Sequence, residues 1–213
     1  MIRICCMSDT HKMHNKLDFE QLQTANVALH CGDFGGTDWE ETRDFLEWFG
    51  SLKASYKILV PGNHDYWMMK LQQQGGKYEL NGILSRYGIS YPDRSVLVIN
   101  LESRIIHCAG LSYDSTYRVE QGIDIVGNRW HDRLDLFLSH NPPHGILDKI
   151  GSLHIGDPIL LDIVKKHLKP RYHIFGHCHE SYGVFKTSTT IFMNAALQLN
   201  QQQTIRPVLW IEL

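Results

Sequence analysis

Nine short runs of apolar, β-branched-rich residues punctuate the chain, at positions 2–7, 27–31, 56–60, 96–101, 104–109, 134–139, 172–176, 189–194 and 208–213. Each has the length of a strand rather than a helix, and several lack polar alternation, as strands buried on both faces do. Between the second and third runs, Thr37-Asp38-Trp39-Glu40 reads as a capping box. Thr42, Phe45, Leu46, Phe49 and Leu52 follow at helical spacing, with Gly50 placed to end the helix. A second helix is announced by Asp157-Pro158 as N-cap and first residue; it carries Lys165, Lys166 and Lys169 toward its end and must stop before Pro170. The glutamine-rich stretches 72–76 and 201–203 read as exposed loops. Strands alternating with helices predict an α/β fold with parallel pairing. With no repeat, linker or low-complexity tract, a single domain spanning 1–213 is expected.

Composition narrows what such a domain can do. At 213 residues and 43% hydrophobic, the chain can bury one substantial core. A net charge of −2 leaves no global basic field to hold long duplex nucleic acid, so any phosphate must be gripped locally. Cys5, Cys6, Cys31, Cys108 and Cys178 are odd in number and four lie in apolar runs, which predicts reduced thiols and a cytoplasmic location. There is no signal-peptide pattern and no apolar run of about 18 residues, so no membrane partner is expected. The anomaly is histidine, with 13 copies of the commonest metal-ligand side chain.

Five of those histidines fall into a pattern. Five of the apolar runs end in polar clusters of metal-ligand type: Asp9-Thr10-His11, Gly32-Asp33, Gly62-Asn63-His64-Asp65, Ser139-His140-Asn141 and Gly176-His177-Cys178-His179. In open α/β sheets, sites form outside the carboxyl ends of strands. One such cluster is more often a turn or a cap; five at strand ends point to a shared centre. The glycines before Asp33, Asn63 and His177 suit sharp turns and close approach, which would aim the next side chain.

In order, these clusters resemble the five motifs of the calcineurin-like metallophosphoesterases, across residues 9 to 179. His30-Cys31-Gly32-Asp33-Phe34, 45–52, 175–183 and Met193-Asn194-Ala195 look most like the small metallophosphoesterase-domain-containing class. The resemblance implies a four-layer α/β/β/α sandwich of two mixed sheets with the site at the carboxyl ends of the strands. It also implies two divalent metal ions: the first held by Asp9, His11 and His179, the second by Asn63, His140 and His177, with Asp33 bridging. Mixed N and O ligands without thiolate suit Mn²⁺ or Fe, then Zn²⁺ or Ni²⁺, better than Ca²⁺ or Mg²⁺. A hydroxide bridging the ions would attack the phosphoryl group of a small phosphate ester. His64 would act as general acid, with Asp65 orienting it.

Cys31 and Cys178 read as core packing, His30 as an interior hydrogen-bonded residue, and His144 as a residue near enough to His140 to touch substrate. His107, His131, His154, His167 and His173 lack motif context, and Trp39, Trp48, Trp67, Trp130 and Trp210 read as core. The stretch 111–129 matches no motif and is expected to form part of the cleft wall. Phosphomonoesterases of the resembled family carry an Arg shortly after the bridging Asp; here Asp33 is followed by Phe34-Gly35-Gly36-Thr37. That favours phosphodiesters of small or cyclic nucleotide type, unless Arg86, Arg118 or Arg129 reaches the cleft. A phosphomonoesterase, or a scaffold without catalysis, is the alternative.

Overall fold

The computed structural model describes residues 1–102, 104–113, 134–199 and 204–213. The 201–203 loop, most of the 111–129 stretch, and Arg118, Arg129, Trp130 and His131 lie outside the described residues.

Two mixed sheets form the centre. In the first, β1 (Arg3–Met7) lies between β15 (Leu209–Glu212) on one side and β2 (Val27–His30), β3 (Tyr56–Leu59) and β4 (Ile89–Ser90) on the other. β1 to β4 are parallel and β15 is antiparallel. The second sheet runs β5 (Val96–Leu101), β6 (Arg104–Leu111), β7 (Leu136–Ser139), β10 (Tyr172–Phe175), β12 (Ile191–Asn194) and β11 (Gly183–Lys186), with antiparallel pairs at its two edges. Two short hairpins complete the strands: β8 (Lys149–Ile150) with β9 (Leu153–His154), and β13 (Gln198–Leu199) with β14 (Thr204–Ile205). All nine expected strands are present to within two residues at either end.

The register matters for function. Met7 pairs with His30 and His30 with Leu59, so β1, β2 and β3 end in step and release their polar clusters along one rim. Ile174 pairs with Leu138 and does the same for β7 and β10 in the second sheet.

Packing accounts for the layers. One core takes Ile4, Leu29 and Ile58 from the first sheet and Ile106, Leu138 and Ile174 from the second. It also takes Phe45, Leu46 and Phe49 of α2 (Trp39–Gly50), which follows the four-residue α1 (Phe19–Leu22). On the second sheet's other face, Phe137, Phe175 and Phe192 pack against Leu160 of α5 (Pro158–Asp162) and against Ile163 and Val164 of the wider-turn helical segment Ile163–Leu168 that continues it. Strand alternation divides Phe137 from Leu136 and Leu138, so this sheet is apolar on both faces. Helices therefore cover the outer faces of two stacked sheets, as the fold-class expectation holds.

The helix signals were right in kind and shifted in detail. Asp38, not Thr37, caps α2 by accepting the Glu41 N–H at 3.0 Å, and Glu41 reaches back to the Thr37 N–H at 3.0 Å, so the capping box is one residue later. Gly50 is the last helical residue, with Ser51 as a right-handed cap. Asp157 caps α5 through Ile159 and Leu160, and left-handed Lys169 ends the helical run before Pro170, as expected. The 72–76 stretch differs from its loop reading: Gln72 and Gln73 finish α3 (Tyr66–Gln73), and only 74–76 link it to α4 (Lys77–Arg86).

Candidate metal centre

The five polar clusters converge where the parallel strands end. Their backbone is unusual: Asp9, His11, Asp33 and His177 all adopt left-handed conformations, with φ of 53°, 39°, 56° and 68°. Asp and His tolerate this region better than most residues, and clustering of such conformations marks functional sites. The approach is also too close for side chains at two glycines. A Cβ on Gly62 would lie 2.2 Å from Asp33 Oδ1 and 2.6 Å from His140 Cε1, and one on Gly176 would lie 2.1 Å from Asp9 Oδ2.

Two groups of ligand atoms result. Asp9, His11 and His179 form the first: His179 Nε2 is 3.1 Å from Asp9 Oδ1 and 3.3 Å from His11 Nε2. Asp33, His140 and His177 form the second, with His140 Nε2 3.4 Å from Asp33 Oδ2 and 2.9 Å from Asn63 Oδ1. Asp33 Oδ2 is also 3.9 Å from His11 Nε2, so one carboxylate oxygen stands between both groups. All seven residues expected from the sequence thus meet at one rim.

The donor chemistry fits cations. His140 Nδ1 donates to the Cys31 carbonyl at 2.7 Å, and a carbonyl can only accept, so Nδ1 carries the proton. A neutral His140 then aims an Nε2 lone pair at two oxygen acceptors, Asn63 Oδ1 and Asp33 Oδ2. That arrangement needs positive charge between the three atoms, from a proton or a metal ion. Among the described residues, the only cationic partners of buried Asp9 and Asp33 are imidazoles. Burial opposes protonating His140, yet the charge of Asp33 and its hydrogen bond outweigh it and raise His140 to about 9. His177 goes the other way: burial first, and the charge of His140 second, lower it to about 4. Borderline divalent ions accept this mixed imidazole and carboxylate set; the residues able to hold them are Asp9, His11 and His179 on one side, and Asp33, Asn63, His140 and His177 on the other.

Around these atoms a second set of bonds fixes the loops. The Asp9 carboxylate accepts the His177 N–H, at 2.9 Å through Oδ2, and Asp33 Oδ1 accepts the His64 N–H at 2.7 Å. Asp65 does not orient His64 by hydrogen bonding: its fully buried carboxylate accepts the backbone N–H groups of Asp33 and Gly62, each at 2.8 Å, and of Gly35 at 3.1 Å. Three main-chain donors hold it in place. Instead the Tyr66 hydroxyl lies 3.3 Å from His64 Nδ1, and the His64 ring stands edge-on to His11 at 5.3 Å. A cavity of about 160 Å³ opens there, lined by His11, Lys12, Gly35, Thr37, His64 and Tyr66. Among the described residues Lys12 supplies the one ammonium of its lining, and that Nζ is paired with Glu41 at 2.5 Å.

Other candidates fall outside the two groups. Cys31 donates to the Ile174 carbonyl and Cys178 to the Lys149 carbonyl, and burial raises both thiols. His30 bonds Thr10 and its ring packs on Phe45. His144, expected to touch substrate, has Gly156, Asp148 and His154 as neighbours, none of them in the centre. Sequence reasoning missed Tyr66 and Tyr113; the Tyr113 ring stands 5.9 Å from both His140 and His177. No motif marks either tyrosine, although Tyr113 does fall in the stretch expected to wall the cleft.

Comparison with known proteins agrees with this geometry. Residues 2–181 match the family described as calcineurin-like phosphoesterase. The chain is 30% identical to human metallophosphoesterase domain-containing protein 1, over 99% of this chain and 71% of that protein. It is 29% identical to a UPF0046 protein of Caenorhabditis elegans, over 92% of this chain and 75% of the relative. Among solved structures it resembles Phosphopantetheinyl Hydrolase (PptH) from Mycobacterium tuberculosis, with a TM-score of 0.57 at 15% identity, covering 90% of this chain and 87% of that one.

Proposed function

The chain belongs to the calcineurin-like phosphoesterase family, whose members hydrolyse phosphate esters with metal ions, and from that premise we propose a phosphodiesterase that uses two divalent cations, Mn²⁺ or Fe before Zn²⁺ or Ni²⁺, on small or cyclic nucleotide-type substrates. When bound, the cations supply Lewis acidity, lowering the pKa of water and neutralising charge on the phosphoryl oxygens. The protein's own part is positional. Asp9, His11 and His179 hold one ion, Asn63, His140 and His177 the other, and Asp33 serves both. His64 is not among the ligands; its ring borders the cavity beside His11, where it can donate a proton to the departing alkoxide. Asp65 fixes the loops that present Asp33 and Asn63.

The observation that carries the diester reading is the charge of that cavity. A monoester near pH 7 bears close to two negative charges and gains from a guanidinium clamp, whereas a diester bears one. No arginine lines the cavity among the described residues, and Lys12 is already paired with Glu41. A missing charge-assisted contact is worth roughly 1.5–3 kcal/mol, so monoesters should be disfavoured by about ten- to a hundredfold. The test compares kcat/KM for an aryl diester and its monoester with one leaving group at one Mn²⁺ concentration. Preference for the monoester would move the protein to the phosphatase reading, with Lys12 released from Glu41 to meet the second charge.

A further inference from the structure

A second pair of histidines, outside the centre, is built as metal-ligating histidines are built. We propose that His144 and His154 form a peripheral site for one borderline divalent cation such as Zn²⁺, completed by water.

In each of the two rings one nitrogen is already committed. His154 Nδ1 lies 2.6 Å from Asp148 Oδ1, and His144 Nδ1 lies 3.2 Å from the Gly156 carbonyl. The carbonyl can only accept. Asp148, almost fully buried, is ionised: against the effect of burial, its bonds from His154, Gly145 and Gly156 hold it below the usual carboxylate range. Both Nδ1 atoms therefore carry protons, which leaves Nε2 of each ring as the atom that can face an ion. A metal-bound histidine almost always donates its other N–H to a carboxylate or a backbone carbonyl, and here one ring does each. His140 of the centre is prepared in the same way, through Cys31.

The spacing agrees. Two imidazoles bound through Nε2 to one tetrahedral ion, at Zn–N of about 2.0–2.1 Å, have ring centres about 5 Å apart. In the centre, the His11–His179 and His140–His177 pairs are each 5.1 Å apart; His144 and His154 are 5.4 Å apart and tilted by 53°. Both rings are part-exposed, open to an ion from solvent, while the Asp148 carboxylate beneath them supplies compensating charge. Asp148 Oδ2 also accepts the Gly145 and Gly156 N–H groups, so the turn and the β8–β9 hairpin that carry the two rings are tied together.

The place in the fold gives the site a consequence. Lys149, at the start of that hairpin, bonds Cys178 and Ser181, and Asn194 Nδ2 donates to both the Leu147 and Cys178 carbonyls. An ion clamping the hairpin would brace the loop that carries His177 and His179.

The experiment is equilibrium dialysis of the full chain against Zn²⁺ with metal counting, on wild type, His144→Gln/His154→Gln and Asp33→Asn. The double variant is expected to hold one Zn²⁺ fewer than wild type, and Asp33→Asn to lose metal from the centre while keeping this one. Long-range ¹H–¹⁵N spectra of the wild type provide a check that needs no substitution: Zn²⁺ should shift the Nε2 resonances of His144 and His154 while each Nδ1 stays protonated. Equal Zn²⁺ counts in wild type and the double variant, or Nε2 resonances that ignore Zn²⁺, overturn the proposal without touching the reading of the main centre.

Discussion

The carboxylate of Asp65 accepts the backbone N–H of Asp33 at 2.8 Å, across 32 positions of sequence. Through this bond and its partner at Gly62, one buried acid ties the loop after β2 to the loop after β3. Asp65→Ala would leave those N–H groups buried and unpaired. Metal affinity is expected to fall about 10- to 100-fold, the usual cost of losing a group that positions ligands, with a lowered unfolding midpoint in EDTA. Metal titration of the variant checks this; unchanged affinity would mean that the loops hold their shape alone.

Asp33→Asn should be more damaging, because one oxygen faces both ligand groups. The expected loss in kcat/KM exceeds about 100-fold, the upper range for supporting groups, and metal analysis should show depletion of both positions rather than one. A fully active variant rules out a shared carboxylate.

His64 separates differently. Its replacement by Ala or Asn should lower kcat by about 10²- to 10⁴-fold, the span for general acid–base groups, while metal content stays at the wild-type value. Metal loss on substitution would place His64 among the ligands.

Acid sensitivity follows from two buried histidines that are not themselves candidate ligands. Burial alone lowers His173 to about 3, and burial outweighs nearby charges to lower His30 to about 3 as well. Unfolded histidine titrates near 6.5. The unfolded chain therefore takes up protons that the native state refuses as pH drops below about 6.5. Stability from these groups is complete above that value and is lost progressively toward pH 3. Urea midpoints in EDTA should fall between pH 7 and pH 4, and His173→Phe should narrow that fall. A variant with the same pH slope as wild type would relieve His173 of the role.

What the sequence disclosed and what it withheld divide along physical lines. The strands were legible because continuous apolar runs such as Leu136–Ser139 need no partner to be recognised, and the candidate ligands because each followed such a run. β11 was not, since Val184 and Phe185 are half-exposed on a sheet edge and carry no burial pattern. α4 buries only Leu80 and Leu84, too thin an apolar stripe to stand out. The work of Asp65 was hidden because backbone donors leave no sequence mark, and a neighbouring histidine offered a simpler partner. His154 looked ordinary until folding placed Asp148 beneath it.

The left-handed backbone at Asp9, His11, Asp33 and His177 reaches beyond catalysis. Such conformations cost on the order of 1 kcal/mol or more each, a cost that the hydrogen bonds of Asp9, Asp33 and Asp65 and any bound ion must together offset. Ions that bind the native state alone add stability as their free concentration rises, by about 2.7 kcal/mol at a hundred times the dissociation constant. Metal supply would therefore set the amount of folded protein as well as its turnover: under starvation the unfolded fraction, and with it proteolysis, is expected to rise.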